Sequence, residues 1–147
     1  MVDTPVDTPA SLTVQRRIEW FDTDASGQYH YTTAFRLVEA AENALLERLS
    51  LLDETAGRLP RVHVEADFRA PLGHRDLVDV SIEVAALGTT SITYAFEIRR
   101  EGLLCAQGKV VGALMASASG GAKPWPDPAR KLLLCAGAQP PELLVEG

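Results

Sequence analysis

The residues that can do chemistry are concentrated in one short acidic turn, residues 22–27, which contains Asp22 and Asp24. Alternating residues before the turn predict a strand, and helical spacing after it predicts a helix that begins near Tyr31. Backbone N–H groups at the start of a helix point outward and stabilise negative charge. A carboxylate beside such donors is a candidate hydrolytic site that needs neither a metal nor a cofactor.

Asp24 is the candidate catalytic residue of this turn. An aspartate with an ordinary pKa of about 3.9 is ionised at neutral pH, so it can attack a carbonyl carbon or orient a water molecule. The sequence leaves both routes open, and an isolated turn of this kind is more often structural than catalytic. The flanking strand and helix, together with Gly27 in the turn, favour catalysis. Asp22 is interpreted as structural, bonding backbone groups of the turn.

Three residues near the start of the helix are further candidates. Glu39 lies about two turns into the helix, where it is either an exposed acid or an alternative base. His30 and Tyr31 either line a substrate pocket or pack where the turn meets the helix. Tyr31 is of interest mainly for its backbone N–H group.

Two arginines, Arg69 and Arg75, flank the turn of residues 71–74 and are candidates for binding substrate phosphates. The alternative is that both are solvated surface residues. The three histidines show no metal-ligand spacing, so we expect no metal site.

Five strands and one long helix are expected to position these residues. Period-two alternation predicts strands over residues 12–20, 61–70, 77–87, 89–100 and 103–115. In the first strand the apolar residues, Trp20 included, fall on one face, and a tight hairpin at residues 100–102 is predicted between the last two strands. Helical spacing predicts a helix over residues 31–52, capped by Thr32 or Thr33, and a short helix over residues 129–136. One strand, one helix and four antiparallel strands form an α+β pattern, in which a sheet curled around the helix buries its apolar face.

The chain of 147 residues is long enough for a single domain with its own core. We expect this domain to span residues 12–136, between a flexible lead-in (1–11) and a tail (137–147). The net charge of −6 argues against a nucleic-acid partner. No apolar run approaches the roughly 20 residues of a membrane helix, no secretory signal begins the chain, and two cysteines make no disulfide framework. A cytoplasmic protein is therefore predicted.

The chain resembles the hotdog-fold thioesterases, specifically the 4-hydroxybenzoyl-CoA thioesterase-like family. The matching features are a strand ending at residues 18–20, the Asp-Thr-Asp-Ala-Ser-Gly turn of residues 22–27, the Tyr-His-Tyr cluster of residues 29–31, and a helix that carries Glu39. The order of elements agrees over residues 12–115. The resemblance implies a hotdog fold, with an antiparallel five-stranded sheet around one long central helix.

The resemblance also implies a function. In that family the second Asp of the turn, which matches Asp24, is the nucleophile or general base that hydrolyses an acyl thioester. The backbone N–H at the position of Tyr31 polarises the carbonyl. Relatives form homodimers in which two sheets join, often dimers of dimers such as homotetramers, with sites at subunit interfaces. His30, Glu39, Arg69 and Arg75 would then contact the substrate.

Several alternatives stay open at this stage. The turn of residues 88–91 lacks the basic residues that hold CoA phosphates in some relatives, so the thiol is either CoA or an acyl-carrier protein. A hotdog protein can also bind acyl thioesters without hydrolysing them. The acidic turn matches the opening of a calcium-binding EF-hand loop, but position twelve of that loop would be Thr33 instead of Glu.

Overall fold

The computed structural model describes residues 8–140, which form an antiparallel sheet of five strands with a long helix packed on one face. The strands are β1 Ser11–Arg17, β2 Arg61–Phe68, β3 Leu77–Leu87, β4 Ser91–Arg100 and β5 Leu103–Ala113, and the helices are α1 Tyr31–Arg48, α2 Leu52–Thr55 and α3 Asp127–Cys135. The order across the sheet is β1-β3-β4-β5-β2. The predicted α+β architecture is confirmed.

Helix α1 forms because its apolar residues recur on one side, where Leu37, Ala41 and Leu45 are fully buried against the sheet. The helix contacts β1 and β3 most closely. It ends at Arg48, four residues earlier than predicted, because Ser50 takes a left-handed conformation with φ 59°. The Leu51 N–H then donates to the Leu46 carbonyl at 2.8 Å, which is a Schellman ending of a helix.

The first strand is shorter than predicted, and the prediction that Trp20 shares the buried face of β1 is wrong. β1 ends at Arg17, and residues 20–22 form a single 3-10 turn instead of continuing the strand. The turn forms because the Asp22 carboxylate accepts the Glu19 N–H at 2.8 Å. It rotates Trp20 outward, and 71% of its surface is exposed.

The remaining strands follow the prediction closely. The tight hairpin predicted at residues 100–102 joins β4 to β5, with φ 50° at Glu101 and 82° at Gly102. Two positive φ values are typical of the turn that suits the twist of a two-residue hairpin. β2 pairs with β5 alone and lies at one edge, so the strand that follows α1 in sequence is farthest from β1 in the sheet.

The last described segment packs beside the opposite edge. Trp125 is buried, α3 packs near β3, and Ala138 forms a parallel bridge with Ser11. Residues 1–7 of the predicted lead-in and residues 141–147 of the predicted tail lie outside the described residues. Within residues 8–140, none of the helices has the length and apolar character needed to span a membrane.

Candidate active site

Asp22 ties the acidic turn to the start of α1. Its carboxylate is buried and forms a two-pronged ion pair with Arg36, with N···O distances of 2.7 and 2.8 Å to the Nη2 atom. Its backbone carbonyl accepts the His30 N–H at 2.7 Å and the Thr33 hydroxyl at 3.1 Å. Asp22 therefore fixes the turn by hydrogen bonds, as predicted, and is not free to react.

Asp24 is exposed and only partly engaged. One carboxylate oxygen, Oδ1, accepts the Ser26 N–H at 2.8 Å and also the Ser26 hydroxyl. The side-chain bond from Ser26, followed by its backbone bond, lowers the pKa of Asp24 below the usual value. The second oxygen, Oδ2, has no hydrogen-bond partner in residues 8–140. The group is thus held ionised, with one oxygen available for chemistry.

The backbone of the turn folds back toward the helix. Asp24 N–H donates to the Gln28 carbonyl at 2.9 Å, and Thr23 and Tyr29 form an antiparallel bridge. Gly27 closes the turn with φ 81°, a left-handed conformation that favours glycine. The two arms of this small loop lie side by side, so Asp24 and the first residue of α1 belong to the same end of the molecule.

The start of α1 carries the predicted free donor, although the predicted cap is wrong. His30, and not Thr32 or Thr33, caps the helix: its Nδ1 accepts the Thr32 N–H at 3.2 Å. Tyr31 is the first helical residue, and within residues 8–140 its N–H has no hydrogen-bond partner. The Tyr31 ring is exposed and stacks on His30 with 4.5 Å between ring centroids.

The predicted phosphate-binding arginines lie on neighbouring loops. Residues 71–76 border the acidic turn, because Gln28 bridges Gly73 and the Tyr29 N–H donates to the Leu72 carbonyl at 2.7 Å. Arg75 is part of this loop and Arg69 directly follows β2; both are exposed. Neither guanidinium is bonded to another group within residues 8–140, so both are available for an anion.

A buried ion pair between α1 and β2 was not predicted from the sequence. The Glu42 side chain is only 4% exposed and is paired with Arg61 at the start of β2. Burial, together with the negative charge of Glu42, raises the pKa of the neighbouring Tyr94 well above its usual value. The signal was present in the spacing: Glu42 falls between Val38 and Leu45 on the apolar stripe of the helix.

Glu39, one turn before Glu42, is exposed and lines two cavities between α1 and β2. In the described residues, 8–140, no group of three or more His, Cys, Asp or Glu side chains is arranged to hold a metal ion.

Comparison with known proteins assigns the family. A family model described as the thioesterase-like superfamily matches residues 18–133. Two 1,4-dihydroxy-2-naphthoyl-CoA hydrolases from different strains of Prochlorococcus marinus are similar: that of strain SARG is 29% identical over 109 residues, 65% of this chain and 70% of that protein. That of strain MIT 9303 is 30% identical over 104 residues, 61% of this chain and 68% of that protein.

A solved structure supports the fold. A 1,4-dihydroxy-2-naphthoyl-CoA thioesterase from Synechocystis has a TM-score of 0.75 at 22% identity, covering 84% of this chain and 95% of that one. The chain belongs to the thioesterase-like superfamily, which confirms the resemblance to hotdog-fold thioesterases and the prediction of a thioester hydrolase.

Proposed function

We propose that this protein hydrolyses an acyl-CoA thioester to the free acid and CoA, with Asp24 as nucleophile or general base. The observation that supports this best is an ionised carboxylate in a loop that leads into the Tyr31 N–H; among the described residues, 8–140, neither that N–H nor one carboxylate oxygen has a hydrogen-bond partner. CoA is favoured over a carrier protein because the similar Prochlorococcus proteins are named CoA hydrolases.

The proposed reaction needs only these groups and water. The Tyr31 N–H stabilises the charge that develops on the carbonyl oxygen, a contribution of roughly 3–4 kcal/mol in known oxyanion holes. In the nucleophilic route, Asp24 attacks the carbonyl carbon, the C–S bond breaks to release the thiolate, and water then cleaves the mixed anhydride. In the general-base route, Asp24 takes a proton from water as that water attacks the carbonyl carbon, and the C–S bond then breaks to release the thiolate.

The other candidate residues are assigned to substrate binding within the same proposal. Arg69 and Arg75 lie near the acidic turn, make no ion pair within the part of the chain that the structure describes, and fit the phosphates of CoA. Glu39 lines the cavities between α1 and β2, and His30 caps the start of the same helix; we assign both to the acyl group. An acyl-carrier protein remains the alternative thiol carrier, and binding without hydrolysis remains the alternative activity.

We also propose a homodimer in which β2 meets β2 of a second copy. Seven of the eight residues of β2 are exposed, including Val62, Val64 and Phe68. An edge strand with exposed apolar residues invites a further strand. A dimer of dimers, the predicted homotetramer, is compatible with this contact, and the predicted cytoplasmic location stays a prediction.

The test is an acyl-CoA panel with short, long and aromatic acyl groups, with release of free thiol as the readout. Wild-type protein should hydrolyse at least one class, and Asp24→Asn should lower kcat by about 100-fold or more. The matched control is Asp53→Asn, because Asp53 is an exposed aspartate in α2, away from the turn. Equal turnover by the Asp24→Asn and Asp53→Asn variants would refute the role of Asp24, and acyl-CoA binding with no hydrolysis would favour a binding protein.

A further inference from the structure

The space between α1 and β2 is divided into two cavities. The smaller has a volume of about 230 Å³ and lies against Phe35 and Val64; the larger has a volume of about 380 Å³ and reaches α2. Both cavities are lined by Glu39 and Arg61. These two residues therefore stand at the boundary between them.

The two cavities follow one another along the helix, away from the acidic turn. Phe68, at the end of β2, lies beside Tyr29 with 6.1 Å between ring centroids, and Tyr29 comes two residues before α1. Arg61, at the start of β2, pairs with Glu42 farther along α1. The strand thus runs antiparallel to α1, with the small cavity nearer the acidic turn and the large cavity beyond Arg61.

The boundary is an ion pair anchored on the helix. The Glu42 side chain is 4% exposed and that of Arg61 is 30% exposed. Arg61 also reaches the Leu59 carbonyl at 3.3 Å. Because Glu42 is fixed on α1, its carboxylate holds the long and otherwise flexible Arg61 side chain across the space between the cavities.

We propose that the Glu42–Arg61 pair is the end wall of the acyl pocket and limits the length of the acyl group that the enzyme accepts. The inference rests on the proposed function, since the acyl group must extend along α1 from a carbonyl bound at Tyr31. From Tyr31 to Glu39 the helix rises about 12 Å, so a short or compact acyl group fits before the wall and a long one meets Arg61.

The volumes agree with this role. Small-molecule sites commonly occupy about 300–1,000 Å³, a range that the smaller cavity does not reach and that the two joined cavities would reach. Removing the wall should therefore add room for a longer chain without touching Asp24 or the Tyr31 N–H. Arg61 and Glu42 are specificity-determining residues in this account and take no part in bond cleavage.

The decisive variant is the double substitution Glu42→Ala with Arg61→Ala. Removing Arg61 alone would leave Glu42 buried without a partner charge, which destabilises the fold. Its matched control is Glu42→Gln with Arg61→Met, which removes both charges and keeps the bulk. If the double alanine variant does not fold, Glu42→Gln with Arg61→Ala opens the same space while keeping a polar residue on the helix.

The measurement is kcat/KM for a series of acyl-CoAs from acetyl to palmitoyl. We expect the double alanine variant to raise the ratio for lauroyl over butyryl substrate by about tenfold or more, since single methylenes are worth that much in a tight pocket. The control should keep the wild-type ratio. An unchanged ratio in a folded, active double alanine variant would overturn the proposal, and so would an equal gain in the control.

Binding separates this proposal from the proposed hydrolysis. Calorimetry with butyryl-CoA and lauroyl-CoA is repeated with each variant in the Asp24→Asn background, where we expect turnover to be lower by about 100-fold or more. Tighter binding of lauroyl-CoA only in the opened variant supports the wall even if no acyl-CoA is hydrolysed by the wild type. Identical binding by all variants overturns the wall, whatever the outcome for hydrolysis.

Discussion

The two edge strands of the sheet differ sharply in what covers them. The segment that follows α3 covers the start of β1: Gln139 N–H donates to the Ser11 carbonyl at 3.0 Å. Arg48 of α1 reaches the same segment, donating to the Ser11 carbonyl at 3.1 Å and the Gly137 carbonyl at 2.7 Å. At the other edge, β2 presents Val62 and Phe68 to solvent.

The two sides of the sheet differ in packing and in proposed role. A segment of the same chain that pairs with the start of an edge strand occupies the backbone groups there, whereas an exposed apolar edge is a site for association. α1 packs mainly on β1 and β3, and no residue of β2 is buried in the core. On the β2 side the helix and strand leave the cavities beside Glu39 and the ionic wall. The core therefore lies away from β2, and the proposed substrate site lies on the β2 side of α1.

The largest predicted change in stability comes from the buried face of α1. Leu45→Ala empties a fully buried site in α1 and should lower the free energy of unfolding by about 2–5 kcal/mol. Turnover per folded molecule should stay near wild type, because Leu45 lies far along α1 from Tyr31. Chemical denaturation measures the first quantity and thiol release the second.

The matched control for this prediction is Leu103→Ala, since Leu103 is 53% exposed at the start of β5. Its effect on stability should stay within about 0.5 kcal/mol. Equal losses in the two variants would contradict the assignment of Leu45 to the core.

The second prediction concerns association at β2. Val62→Asp places a charge on an exposed apolar position of the edge strand β2, so it should shift the protein from dimer toward monomer. Light scattering coupled to gel filtration measures the mass across a range of protein concentrations.

Leu132→Asp is the control for that prediction, because Leu132 is an exposed leucine on α3, away from β2. It should leave the mass unchanged. Dissociation by Leu132→Asp alone would place the dimer contact near α3 instead of at β2. A monomeric wild-type protein would refute the proposed dimer.

The elements were predictable where one local pattern decides the structure. The alternation in β3 and the hairpin at Gly102 are local signals, and both are confirmed. The acidic turn was identified because residue types and context coincide there. Trp20 was misplaced because a side-chain bond from Asp22 ends the strand, and periodicity carries no information about such a bond.

Features that depend on distant pairs were out of reach of the sequence. Glu42 and Arg61 are separated by 19 positions, and their contact depends on how β2 lies along α1. The cap was missed because a histidine ring took the place of a threonine hydroxyl at the helix start. Edge positions in the sheet, and hence the exposed side of β2, follow from strand order, which the alternation alone does not fix.

The smallest predicted effect concerns the hydrogen bond between Ser26 and the Asp24 carboxylate. The hydroxyl of Ser26 is the main cause of the lowered pKa of Asp24, so Ser26→Ala should raise that pKa toward its usual value. In the proposed reaction the ionised carboxylate of Asp24 is the active form, so the acid limb of the kcat/KM profile should move to higher pH. The plateau at neutral pH should change little, since Asp24 is ionised there in both proteins.

The same bond has a matching consequence for stability. A carboxyl with a lowered folded-state pKa stabilises the fold above its unfolded-state pKa and loses that contribution as the pH falls through the folded-state value. Ser26→Ala should therefore weaken the protein slightly at neutral pH and not at strongly acidic pH. Ser119→Ala, at an exposed serine outside the turn, is the control. An acid limb that stays in place in Ser26→Ala would mean that another group governs the ionisation required for turnover.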